Sequence, residues 1–199
     1  MMGTTVKCGL ALAVLVIACA GCQKTWTSTD LTMTTYGTFN NSVDKGWRGL
    51  AADSKYLDAA NLIGRYIDAN QPILESWQIG ILRFHQGQMF GCAGRIQQAL
   101  QAITEAKTHD LTGGNQADYS AYIDATAAFL REDKAALISA RDDIQAAPST
   151  GANDILRTKS QVLVNKFGSS YRKAWEAAAN VAVPVNDLVD ELVPNGKSE

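Results

Sequence analysis

Residues 77–100 read WQIGILRFHQGQMFGCAGRIQQAL. Leu74, Trp77, Ile81 and Phe84 recur at helical spacing, and beyond Gly87 a second set, Met89, Cys92, Ile96, Ala99 and Ile103, does the same. The pattern predicts a helical hairpin that breaks between Gly87 and Gly91. Bulky side chains line its first helix, and Cys92, Ala93 and Ala99 keep the second small, so the two helices can approach closely. Such a hairpin cannot bury both of its apolar faces alone and must stack on neighbours.

Upstream, a helix over 54–70 places Tyr56, Ala59, Ile63, Tyr66 and Ile67 on one side, and Pro72 ends it. Tyr56 and Met89, Ala59 and Cys92, Ile63 and Ile96, Tyr66 and Ala99, and Ile67 and Leu100 are each 33 residues apart. This offset reads as an internal repeat. Its length, the small residue at the crossing and the closing Ala99-Leu100 resemble the tetratricopeptide repeat, on Ile79-Gly80, Gly87, Met89, Cys92, Ile96 and Ala99-Leu100. Arg83 stands where that family has an aromatic, unless the first helix shifts by one residue to use Phe84, and the first unit's leading helix fits less well. The resemblance covers about 43–107. It implies stacked antiparallel helical hairpins whose first helices line a concave face. On the helix over 73–86, Arg83 and Gln86, with His85 at the margin, are then the side chains left for a partner. The plainer reading of the three is a solvated outer face.

Downstream, His109 to Gln116 (HDLTGGNQ) ends the unit with two glycines. A third hairpin follows over 117–130 and 133–146, carrying Tyr119, Tyr122, Ile123, Thr126 and Phe129, then Leu137, Ala140 and Ile144. Helices over 154–167 and from Ser169 or Ser170 onward come next, and a short turn through Leu188 and Leu192 closes against Pro194. These last helices are expected to cap the stack, leaving 195–199 as a disordered tail. The chain has no β-rich stretch, so the expected fold is all-α over 42–194.

Before the repeat, a helix over 43–52 carries Trp47 and Leu50, with Asn40, Asn41 or Ser42 as its cap and Asp44 in its first turn. Residues 22–41, rich in Thr, Ser and Asn, read as a flexible tether. Residues 1–21 read as a signal: Lys7, then an apolar run over 10–18 too short for a comfortable membrane span, then Cys19-Ala20-Gly21-Cys22. The run over 10–22 resembles a bacterial lipoprotein signal, with Cys19 where an aliphatic residue is usual. The resemblance implies a lipid, palmitate included, on Cys22, and Gln23 after it implies the outer membrane, facing the periplasm. The alternative is an ordinary secretory signal cut at the same place. With Cys8 and Cys19 removed and Cys22 capped, Cys92 is left alone and reads as a small packing residue.

Over 199 residues, 46% of them hydrophobic, the composition suits a folded domain with a real core. A formal charge of −2 without a Lys or Arg run argues against a nucleic-acid partner. None of the common catalytic or phosphate-binding motifs is present. His85, His109 and Cys92 are placed too disparately for a zinc set. The chain is therefore expected to need no cofactor or metal and to perform no catalysis. The favoured function is a lipid-anchored scaffold for a protein or peptide partner, an envelope assembly factor or an immunity-type inhibitor. The alternative is a small-ligand binder, or an enzyme without a motif, using a pocket between the repeats and the C-terminal helices. An open groove favours the former, and an enclosed cleft with converging polar groups favours the latter.

Overall fold

A helix that begins at Ser76 runs through Gly87 and ends only at Cys92, so the hairpin breaks at Ala93-Gly94-Arg95 rather than at Gly87. Gly87 stays helical because it is a contact point. A Cβ built there meets the Ile103 side chain at 2.7 Å and the Ala99 carbonyl at 3.0 Å. The glycine lets the two backbones meet, which offsets its poor helix propensity. Gly94 is the true breaker: its φ of +74° suits glycine. Its N–H donates to the Gly91 carbonyl, and that of Arg95 donates to Phe90, closing the helix end with the paired bonds of a Schellman cap.

The computed structural model describes residues 26–109, 111 and 119–180, and all their regular structure is helical. Ten helices are described: α1 (Ser28–Met33), α2 (Tyr36–Asn41), α3 (Trp47–Ala52), α4 (Tyr56–Asn70), α5 (Ser76–Cys92), α6 (Ile96–Ala106), α7 (Tyr119–Leu130), α8 (Lys134–Ala146), α9 (Gly151–Asn165) and α10 (Tyr171–Ala179). The expected signal, Cys22, the turn through Leu188 and Leu192 and the tail lie outside the described residues.

The turn at Gly94 recurs. Ser54 (φ 60°) and Glu132 (φ 59°) take the same left-handed conformation and the same pair of capping bonds, and Gly168 (φ +86°) turns the chain a fourth time. Four hairpins result: α3/α4, α5/α6, α7/α8 and α9/α10. Their turn residues step by 40, 38 and 36, not by 33. The 33-residue offset carries Ile63, inside α4, to Ile96, the first residue of α6, so those positions are not equivalent. Each hairpin's second helix packs on the next hairpin's first: α4 on α5, α6 on α7, α8 on α9. The first helices also touch, α5 with α7 and α7 with α9. The last pair does not simply cap an open end, because α10 folds back on α5. There Tyr56 meets the Trp175 ring edge-on at 5.8 Å and its hydroxyl donates to Glu176 at 2.7 Å.

The tether expectation fails from Ser28 onward. Thr27 and Asp30 form a reciprocal capping box at α1, and the Thr35 hydroxyl accepts the Thr38 N–H at α2, so the threonines start helices. Both helices seat on α4. Leu31 and Phe39 are buried, Phe39 stacks on Tyr66 at 3.8 Å, the Tyr66 hydroxyl donates to the Thr34 carbonyl, and Asn70 Nδ2 donates to the Leu31 carbonyl. Asn40 and Asn41 lie inside α2. α3 starts later than expected, after Gly46, while Ser42 accepts from the Asp44 and Lys45 amides.

Phe39→Ala should lower unfolding free energy by about 3–5 kcal/mol in denaturant titration, as a fully buried ring demands. A change near zero would return 28–41 to the status of a linker. Gly87→Ala should cost about 1–3 kcal/mol by overpacking, despite alanine's better helix propensity, and a stabilised variant would refute the close approach.

Candidate functional site

The first helices of the four hairpins and α2 bring together polar side chains that are far apart in sequence. Arg48 comes from α3, His85 and Gln88 from α5, Tyr119, Tyr122 and Thr126 from α7, Lys159 from α9 and Tyr36 from α2. A burial gradient gives the cluster its shape. Gln88, Tyr122 and Thr126 are buried, whereas Tyr36, Arg48, Trp77, His85, Tyr119 and Lys159 keep partial access to solvent. The buried set is withdrawn from solvent and the partly exposed set reaches it, and we take the two as the floor and rim of a candidate cleft.

Trp47 anchors one wall. It is 1% exposed, its indole N–H donates to Asn40 Oδ1 at 3.3 Å, and its ring lies 4.9 Å from that of His85. The Arg48 guanidinium sits 4.4 Å over the same indole, and its Nε donates to the Asn40 carbonyl. Tyr36 meets Trp77 edge-on at 5.3 Å, and Phe84 meets Tyr122 edge-on at 5.7 Å.

The electrostatics are one-sided. Burial pushes the Lys159 ammonium below its ordinary value, and the neighbouring charge of Arg48 pushes the same way. Burial also lowers Arg48. Neither cation has a carboxylate partner among the described residues, whereas Arg83, Lys107, Arg141, Arg157 and Arg172 each do. His85 is held down to about 3 by burial, then by Arg48, with Lys159 adding to the effect; the bond to Gln88 opposes them. The ring is therefore neutral near pH 7. With Gln88 Oε1 accepting at 2.9 Å, His85 Nδ1 carries the hydrogen and Nε2 is left as an acceptor. The floor continues to Tyr171 of α10. Its hydroxyl is fully buried beside Thr126 and Gln88 and makes no hydrogen bond.

Of the three residues expected to face a partner, only His85 lies in this cleft. Arg83 Nη1 donates to Gln86 Oε1 at 2.8 Å and its Nε pairs with Glu105 of α6 at 3.4 Å. Gln86 is buried, donating to the Ala60 carbonyl of α4. These two side chains tie α5 to α4 and α6. Neighbours cover α5 on several sides, α4, α6, α7 and α10 among them. Arg48 and Lys159 were missed because neither stands in a motif, although both occupy first helices.

Cys92, at the end of α5, is buried and free, its thiol pushed up by burial. It lines a groove of about 440 Å³ between Gly91, Phe129 and the 167–172 turn, to which Tyr171 also contributes. His109 Nδ1 lies 3.1 Å from Ser76 Oγ. Among the described residues no three His, Cys, Asp or Glu side chains converge as a metal set would. No protein-family model, curated protein or solved structure matches the chain.

The neutral histidine predicts a pH dependence. Between about 3 and the ordinary 6.5, the unfolded chain holds a proton that the native ring refuses, so stability falls as pH falls through this window. From pH 6.5 to 5 the loss should be about 1–2 kcal/mol, water at the cleft tempering the full effect. His85→Phe, which keeps a ring against Trp47, should flatten that slope in urea titrations. An unchanged slope would place the responsible group elsewhere.

Proposed function

We propose that this protein is a lipid-anchored binding protein of the bacterial envelope that holds a small solute in the cleft between its first helices. The observation that carries the reading is a cluster of partly buried polar and aromatic side chains from the first helices, in which the Trp47 ring lies 4.9 Å from that of His85 and 4.4 Å from the Arg48 guanidinium. Pockets for small ligands have this make-up: apolar walls and a few aimed polar groups. The tetratricopeptide-like reading gains from the order of packing, in which each second helix leans on the next first helix and first helices touch one another, and it does not rest on the 33-residue offset.

A polypeptide partner fits less well. The large apolar side chains most exposed to solvent, Met33, Val43, Leu57 and Ile73, are spread over four segments of the chain instead of lining the cleft. The cleft also offers no carboxylate among the described residues for general acid or base work beside His85, so we read it as a site of binding without catalysis. Cys22 supplies the anchor in this proposal, with the protein at the outer membrane on its periplasmic side. Among the described residues no helix is long and apolar enough to cross a membrane.

Two measurements test the reading. Cys22→Ser should leave the membrane fraction and appear as soluble or unprocessed protein; cleaved protein that still sediments with membranes would defeat the lipid assignment. Native mass spectrometry of protein released gently from envelopes should detect a small bound species. That species should disappear in a Tyr122→Trp variant that fills the cleft. If Tyr122→Trp instead loses a co-purifying polypeptide while no small species is ever seen, the scaffold reading replaces this one.

A further inference from the structure

We propose that an apolar tip carrying Met33 and Ile73 enters the headgroup layer of the bilayer that holds the anchor, so that the domain is seated on the membrane as well as tethered to it. The inference builds on the Cys22 anchor of the proposed function and adds a second contact with the same lipid.

Met33 ends α1, and Ile73 stands in the turn between α4 and α5. Two contacts bracket them and bring them to one end of the molecule. On one side, Asn70 Nδ2 donates to the Leu31 carbonyl at 3.2 Å, and the Asn70 carbonyl accepts the Ile73 amide at 2.9 Å. On the other, Tyr36 and Trp77, which follow Met33 and Ile73 by three and four residues, meet edge-on at 5.3 Å. The Tyr66 hydroxyl pins the residue after Met33, donating to the Thr34 carbonyl at 2.8 Å. Both backbones are thus held, yet the two side chains are 79% and 76% exposed, more than any other large apolar side chain among the described residues. One such side chain on a surface is ordinary. Two at one end, with the exposed Pro72 between α4 and Ile73, make a patch that leaves water favourably.

The surroundings suit a lipid surface. Tyr36 and Trp77 are only partly covered, and the indole N–H is held by Glu75 Oε2 at 2.6 Å. Rings with an apolar body and a polar edge favour the level of the headgroups. Residues 27–36 and 66–79 contain no Lys or Arg, so attachment here is by apolar contact and not by attraction to anionic lipid. The carboxylates of these stretches are Asp30, which caps α1, Glu75, which holds the indole, and Asp68. The anchor is close by. The described chain begins at Trp26, whose carbonyl accepts from Arg65 at 2.7 Å and whose ring meets Phe39 at 6.3 Å; Phe39 stacks on Tyr66, the residue that pins Thr34. From Cys22 to Trp26 the chain spans at most about 14 Å, so acyl chains on Cys22 would hold this end of the domain close to the bilayer.

The test puts a photoreactive diazirine amino acid in place of Met33, Ile73 or Gln97 in the full chain, produced in bacterial cells; Gln97, exposed on α6, is the control. Isolated membranes are irradiated, and mass spectrometry of the digested protein reads adducts at each position together with acyl chains at Cys22. Lipid adducts should form at 33 and 73 in several-fold excess over 97. A wash in concentrated salt before irradiation should leave them unchanged, because salt screens charge and not apolar contact; their loss would overturn the proposal. Acyl chains at Cys22 without lipid adducts at 33 and 73 would also overturn it and leave the anchor standing. Lipid adducts without acyl chains would uphold the tip and remove the anchor, and the absence of both would remove both. Polypeptide adducts in place of lipid would make the tip a protein interface and defeat the proposal. The double variant Met33→Gln with Ile73→Gln should melt within about 2 °C of wild type, as exposed side chains do, and a larger fall would show that they pack and overturn the reading.

Discussion

The contact between α5 and α6, backbone against backbone at Gly87, is the constraint on which the rest of the arrangement depends. A glycine in mid-helix is unfavourable by about 1 kcal/mol relative to alanine, and here it is retained where a methyl group would strike the Ala99 carbonyl and Ile103. Bringing α6 close on one side leaves α5 free to meet α4, α7 and α10 on its others. α5 thereby becomes the central post, and its polar side chains are sorted by neighbour. Arg83 turns to Glu105 on α6 and Gln86 to the Ala60 carbonyl on α4, while His85 and Gln88 turn to the cleft. Adjacent residues on one helix point about 100° apart, which explains how Gln86 ends in a structural bond and His85 in the candidate site.

That sorting sets stability against function. The N-terminal helices add stability through Phe39 on Tyr66 and through the Asn70 bond to the Leu31 carbonyl. The cleft subtracts from it. Arg48, Lys159 and His85 are all shifted in the direction that disfavours charge, and the Tyr171 hydroxyl is buried without a partner. A core filled with leucines at these places would be more stable. Polar groups kept under those conditions mark a place where something other than folding has set the side chains.

Much of the fold was legible from apolar spacing, and what was missed has specific physical reasons. The helical class, the helices on either side of Gly94 and the third hairpin followed from recurrence at three and four residues. The position of the break did not, because Gly87 and Gly94 look alike in sequence. One is small for a neighbouring helix, the other for a positive φ, and only three-dimensional context separates them. The constant 33-residue offset misled for a related reason: two amphipathic helices in any register yield matching apolar positions, whereas the turn residues 54, 94, 132 and 168 mark the real period. Two of those, Ser54 and Glu132, are not glycine and carry no turn signature. The Thr-rich stretch misread as a tether contained its own contrary evidence in Thr27 and Asp30, three residues apart as a capping box requires.

The candidate site was the least legible part, and the cause lies in how such an array builds one. Each hairpin contributes one to three side chains from its first helix, so the site has no continuous motif. Arg48 and Lys159 are 111 positions apart in the chain. α10 supplies the remaining element. By folding back on α5 it sets Tyr171 against Gly91, with the ring 2.7 Å from where a Cβ would stand, and so brings the tyrosine hydroxyl beside Gln88 and Thr126. The last described helix thus sets Tyr171 near Gln88, the partner of His85, although the tyrosine hydroxyl itself makes no hydrogen bond there.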